Sequence, residues 1–171
     1  IGEDGIKGII LGQDGIGSAY VDFQKEIVRH ANDGVLIVLA SKNNDKDVWE
    51  VFDQHSGMYL KRDNVVTSKI NWNEKAFNLK EVARELDLGL DSFVFWDDNP
   101  LERDKMKTLL PEVLTVDVPN DIVQWPRLLR TINCFAKFKI TEDDRKKSSQ
   151  YKSRAKFISD LKGVEDIKNY L

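Results

Sequence analysis

Two short apolar runs constrain the fold more than any other feature of the sequence. Val35-Leu36-Ile37-Val38-Leu39-Ala40 and Phe93-Val94-Phe95-Trp96 are apolar at every position. A half-exposed strand alternates, so continuous apolarity predicts strands covered on both faces, as in a parallel sheet between helix layers. Helical segments separate these runs. Tyr20, Phe23, Ile27 and Ala31 recur at steps of three and four, between a candidate cap at Ser18 and a stop at Gly34. Ala76, Leu79, Val82, Ala83 and Leu86 mark a second helix over residues 74–86, with Gly89 expected to end it. Helices are also expected over residues 45–54, 101–110 and 125–135, a third strand over 113–116 and a short one over 58–60. Alternating strands and helices make βαβ units, so the predicted fold is α/β, a parallel sheet with helices on both faces.

Composition narrows the functional classes. With 171 residues the chain suits one domain and a tail. The texture becomes strongly charged near Thr141, dividing the chain into a domain over 1–140 and a helical linker over 141–171. Thr141 is the candidate cap of that linker, with Asp144 in its first turn. The last residues read as the start of a further element, and the natural protein is expected to continue. The longest apolar run is the six residues Val35 to Ala40, against about 20 for a membrane span. No leader is visible at the start, and a cytoplasmic location without membrane contact is expected. A net charge of −3 argues against a nucleic-acid partner. The single cysteine, Cys134, allows no intrachain disulfide and suits a reducing compartment.

In open parallel sheets ligands bind beyond the carboxyl ends of the strands. The two apolar runs end in Ser41-Lys42-Asn43 and in Asp97-Asp98-Asn99-Pro100, so both polar clusters fall on that edge. Adjacent carboxylates at the tip of an apolar strand repel each other, and a hard cation such as Mg²⁺ offsets the repulsion. The same tetrapeptide is also ordinary turn composition, with Asp97 capping the next helix. Ser41 and Asn43 supply a hydroxyl and an amide where free backbone N–H groups could cradle phosphate; taken alone, simple turn chemistry is the better explanation of them. Lys75 opens a helix, where its charge opposes the macrodipole unless an anion meets it. A solvated lysine is the alternative there, and Lys69 and Lys80 compete for the role. His30 and His55 have no partner at a telling spacing. His30 falls near a helix end that favours a cation, and neither histidine is given a function. The four tryptophans read as core or cleft wall.

Taken in order, strand-Ser41, helix-opening Lys75 and strand-Asp97-Asp98 resemble motifs two to four of the haloacid dehalogenase superfamily. The wording is similar to its FkbH-like branch: Ile1-Gly2-Glu3-Asp4-Gly5, Ser41-Lys42-Asn43-Asn44, Ile70-Asn71-Trp72, Leu88 to Phe95, and Asp97-Asp98-Asn99-Pro100 with Glu102-Arg103. Thr141-Glu142-Asp143-Asp144-Arg145 and Tyr151 match it too. The resemblance implies a Rossmann-like domain with almost no cap and Mg²⁺-dependent phosphoryl chemistry. It implies Lys75 and Asp97 as catalytic residues, Ser41, Lys42, Asn43 and Lys75 as phosphate ligands, and Asp97 and Asp98 as metal ligands. The implied partners are a phosphorylated small molecule, with an acyl phosphate such as a phosphoglycerate as one case, and an acyl carrier protein that receives the product. The superfamily's nucleophile motif, Asp-x-Asp-x-Thr, does not occur in the sequence. Asp45-Lys46-Asp47 continues into Val48-Trp49, so the nucleophile is expected upstream of Ile1.

Three functional readings follow. The first is a phosphohydrolase or phosphotransferase working through an aspartyl phosphate. The second is a non-catalytic scaffold or carrier-protein docking module on the same fold. The third, a signalling receiver domain, would bring its acidic pair first and its lysine last, the reverse of the order here.

Overall fold

The structure, a computed structural model, describes residues 11, 15–135 and 142–170, the last stretch with side chains over 146–161. Helix α1 spans Gly15–Asn32, followed by β1 (Ile37–Ser41), α2 (Asp45–Gln54), β2 (Val65–Ile70) and α3 (Lys75–Leu86). Then come β3 (Val94–Phe95), α4 (Pro100–Leu109), β4 (Leu114–Thr115), α5 (Trp125–Arg130) and α6 (Glu142–Tyr170). Single 3₁₀ turns fill several connections. No helix among the described residues is long and apolar enough to cross a membrane.

The strands form two parallel pairs. β1 pairs with β2 in a register that sets Ser41 opposite Ile70, and β3 pairs with β4 with Val94 opposite Leu114. Among the described residues no ladder joins the two pairs. Two helices do so instead. From α1, Ile27 and Val28 pack with Leu39 of β1, while Ala19 and Phe23 pack with Val94 of β3 and with Trp96. From α3, Ala76 and Leu79 pack with Phe95 of β3, while Val82 and Leu86 pack with Val38 of β1 and Val66 of β2. Neighbouring strand residues face opposite sides. Leu39 and Val38 thus put α1 and α3 on opposite faces, as the doubly apolar runs predict. Leu86, Met106 and Leu110 are fully buried, each stabilising by roughly 1.5–3 kcal/mol.

Several boundaries differ from the expectations, each for a local reason. Ser18 is not a cap: its hydroxyl donates to the Gly15 carbonyl at 2.8 Å inside the first turn. Helix α3 ends on Asp87, whose φ of 57° supplies the left-handed closing residue, so Gly89 is not the stop. Residues 58–60 form no strand. The backbone N–H groups of Tyr59 and Leu60 donate instead to the buried Gln24 side chain of α1, at 2.8 and 2.9 Å. The α4 boundary follows expectation, with Asn99 accepting from the Leu101 N–H at 3.0 Å and Pro100 in the first turn. Arg130 of α5 closes on buried Glu26 of α1 at 2.6 Å. The charged tail is one continuous helix that is not wholly solvated. Ala155 is buried, Tyr151 packs with Val82 and Leu86, and Arg154 donates to the Glu85 carbonyl at 3.2 Å. Gly12, the segment from Ile1 to Gly5, Thr141 and the Asp144 side chain lie outside the described residues.

Candidate functional site

The parallel strands end on one edge, and a cleft of about 230 Å³ opens there, lined by Tyr20, Ala40, Lys75, Trp96, Asp97, Asp98 and Trp125. Two elements deliver its charged wall. Lys75 is the first residue of α3, and Asp97 and Asp98 follow β3. The lysine that opposes the helix dipole does meet an anion, since its Nζ donates to Asp97 Oδ2 at 2.5 Å. Both side chains are largely buried, 15% and 5% exposed, so the pair is shielded from salt. Asp97 Oδ1 accepts from the Asn99 N–H at 3.0 Å, which fixes its second oxygen. Asp98 is exposed, and among the described residues no hydrogen bond or ion pair engages its carboxylate. The repulsion expected between two adjacent acids is thus relieved on one side only.

The turn that carries the acidic pair is braced from behind. Arg103 Nη1 donates to the carbonyl oxygens of both Asp97 and Asp98, at 2.8 and 2.9 Å. The start of α3 is braced by an amide pair: Asn78 Nδ2 donates to Asn71 Oδ1 at 2.8 Å, and Asn71 Nδ2 donates back at 3.2 Å. Asn71 Oδ1 also accepts from the Asn73 N–H at 3.0 Å. Neither brace was foreseen in the sequence. Asn78 left a trace there, since an amide beside Leu79 and Val82 on an apolar helix face needs a buried partner.

The residues after β1 are placed differently. Ser41 closes β1, one residue beyond Ala40 at the cleft, and its carbonyl accepts from the Asn71 N–H at 3.0 Å. Neither Ser41, Lys42 nor Asn43 lines the cleft. Asn43 Oδ1 accepts from the Asn44 N–H at 2.8 Å, a local turn contact. Lys42 is paired with Glu102 at 3.0 Å and Glu74 at 3.2 Å. The hydrogen bond to Glu102 raises its pKa, burial works against the charge, and Glu74 adds to the rise. Glu74 also binds Lys105 at 3.0 Å; Lys105 and then Lys42 hold its carboxyl below the usual range.

The competing lysines are accounted for. Lys80 is exposed. Lys69 is bound to Glu85 at 2.6 Å and Glu81 at 3.3 Å; burial disfavours its charge, but the two carboxylates outweigh burial and raise its pKa. The opposite wall of the cleft is aromatic. Phe23 packs tilted against Trp96 at 4.9 Å and edge-on to Trp125 at 5.2 Å, and Tyr20 meets Trp125 edge-on at 6.0 Å. Trp96 and Trp125 are cleft wall, as expected, whereas Trp72 is exposed.

No protein-family model matches the chain, and no curated protein does either. Among solved structures, the chain is similar to the N-terminal part of the protein BF1531 from Bacteroides fragilis, which contains a phosphatase domain and was crystallised as a Mg complex. The two are 36% identical with a TM-score of 0.75, and the match covers 79% of this chain and 36% of that one. The α/β architecture of this chain is therefore one shared with a phosphatase-domain structure.

Proposed function

We propose that the chain is the phosphatase domain of a haloacid dehalogenase-type protein of the FkbH-like branch, a Mg²⁺-dependent phosphohydrolase or phosphotransferase. One observation carries the reading. A buried Lys75–Asp97 pair stands beside an unengaged Asp98 at the carboxyl ends of parallel strands, in a fold similar to a Mg-bound phosphatase domain. The donor set fits the metal, since Mg²⁺ takes one or two carboxylates with water and substrate phosphate completing its shell. Asp98 and Asp97 would hold it, and when bound it would neutralise phosphate oxygens.

The chain's own residues divide the remaining work. Asp97 orients the Lys75 ammonium, which would bind the transferring phosphoryl group as a charge-assisted donor. The Ser41 hydroxyl, Asn43 and the loop through Lys42 would complete the phosphate site at the end of β1. Arg103, by fixing both carbonyls of the acidic turn, holds the carboxylates against rearrangement as charge develops. By the resemblance to the superfamily, the attacking carboxylate would come from outside the described residues, on a strand lying between β1 and β3. The wording shared with the FkbH-like branch supports an acyl phosphate as substrate and transfer to a carrier protein as the outcome. It also supports the division into a domain over 1–140 and a linker over 141–171, and a cytoplasmic location.

The test is hydrolysis of p-nitrophenyl phosphate by the full-length natural protein over a Mg²⁺ titration. Hydrolysis that depends on Mg²⁺ and falls at least a hundredfold in Lys75→Met supports the reading. Metal-independent hydrolysis, or none, overturns it.

A further inference from the structure

Three loops at the cleft edge come from different parts of the chain, yet one cluster of charges joins them. Lys42 belongs to the loop after β1, Glu74 is the residue before α3, and Glu102 and Lys105 lie on α4 behind the acidic turn. Lys42 Nζ stands 3.0 Å from Glu102 Oε1 and 3.2 Å from Glu74 Oε1. Lys105 Nζ stands 3.0 Å from Glu74 and 3.8 Å from Glu102. Two lysines thus alternate with two glutamates around a ring, and each glutamate touches both lysines.

The members differ in exposure. The Glu102 side chain is only 11% exposed, and Lys42 is 25% exposed, while Glu74 and Lys105 are more open. A largely buried carboxylate needs a fixed partner, and the nearest one is Lys42. Lys42 therefore has its positive charge committed to two carboxylates, and it is not among the residues that line the cleft with Lys75, Asp97 and Asp98.

We infer that Lys42 is a positioning residue, paired with Glu102 to hold the loop after β1 in register with the acidic turn, and that its ammonium does not bind the phosphoryl group. The inference deepens the phosphatase reading and rests on it for its kinetic consequences. The ring fixes where Ser41 stands relative to Lys75 and Asp98. Losing the Lys42–Glu102 link lets the loops drift apart, and a displacement near 1 Å at such a site costs up to about a hundredfold in rate.

A double-mutant cycle in the full-length protein separates a strut from a phosphate ligand. Lys42→Met and Glu102→Gln should each lower kcat/KM for p-nitrophenyl phosphate by about ten- to a hundredfold. The double variant should lose much less than the product of the two single losses, because each single variant already removes the Lys42–Glu102 ion pair. Lys42→Arg, which can rebuild the pair, should stay within a few-fold of wild type. If Lys42 instead binds phosphate, its loss multiplies with that of Glu102→Gln, inorganic phosphate inhibits Lys42→Met more weakly in either background, and the inference is overturned. Single variants with unchanged kinetics overturn it too. Amide hydrogen exchange gives a readout independent of turnover. Faster exchange over both 41–44 and 97–102 in Lys42→Met, recovered in Lys42→Arg, supports the strut even if the protein proves not to be a phosphatase. Unchanged exchange at either loop counts against it.

Discussion

Lys75 Nζ and Asp97 Oδ2 lie 2.5 Å apart, across a gap of 22 residues in sequence, with both side chains mostly withdrawn from solvent. Removing one member of such a pair leaves the other charged and desolvated. Lys75→Met should therefore destabilise by about 3 kcal/mol, chiefly through the stranded Asp97. Asp97→Asn should cost less, since the more exposed Lys75 can turn toward the cleft. Urea unfolding of the two variants checks the order, and equal losses would contradict it.

Asp98 should behave in the opposite way. It is exposed and braces nothing through its side chain, so Asp98→Asn should change stability by no more than about 0.5 kcal/mol. Ligand binding to the folded state raises the melting temperature. Millimolar Mg²⁺ should raise the Tm of the wild type and leave that of Asp98→Asn nearly unmoved, as read by differential scanning fluorimetry. An equal shift in both proteins would remove Asp98 from the metal site.

His30 sets a pH dependence at the far end of α1. The ring is buried and packs at 5.1 Å from Phe135. Burial first, and the neighbouring Arg29 second, lower its pKa, against opposing pulls from the Leu129 backbone, Glu26 and Asp33. The folded protein therefore prefers the neutral ring, and the unfolded chain binds more protons below about pH 6.5. Stability from this residue is present above that pH and lost as the pH falls below it toward the lowered folded value. Urea midpoints between pH 7.5 and pH 5 should decline in the wild type and flatten in His30→Leu. Glu26, whose carboxyl Arg130 holds below its ordinary range, acts at lower pH and does not obscure this window.

Gln24 is a test of the segment that the sequence pattern placed in a strand. Its Oε1 accepts from two successive backbone N–H groups, those of Tyr59 and Leu60. Gln24→Ala strands both donors and should cost about 2 kcal/mol. Amide exchange at Tyr59 and Leu60 should accelerate before global unfolding does. Protection that persists there would mean the two groups find another acceptor.

What could be read from the sequence tracks how cleanly each element buries itself. The runs around Ile37 and Val94 are apolar on both faces because helices cover both, and Asp97 and Asp98 follow at a fixed offset. Helix α3 was legible from its spacing, and Lys75 from its conflict with the helix dipole. Strand β2 was not. Val65-Val66 is followed by Thr67-Ser68-Lys69, which reads as polar loop until Lys69 is seen bound between Glu81 and Glu85. The direction of Lys42 was equally hidden. Its partner Glu102 is 60 residues away, and no local pattern distinguishes an ammonium aimed at substrate from one aimed at a buried carboxylate. His30 fell at a helix end that favours a cation, but its burial against Phe135 reverses that preference.

The Arg130–Glu26 contact has a kinetic side. It closes 104 residues of chain, whereas Lys75–Asp97 closes 22 and Lys42–Glu102 closes 60. Loop-closure entropy grows with the logarithm of length, so the longest of these costs about 1.4 kcal/mol more than the shortest. Short closures form first, since long ones must be prepaid before their contacts reward them. The lysine and the acids that confront it are therefore expected to close before the wider contacts, an order that φ-values for Lys75 and Arg130 variants would read. The aromatic wall, which needs α1 and α5 brought together across the length of the domain, carries the larger closure cost.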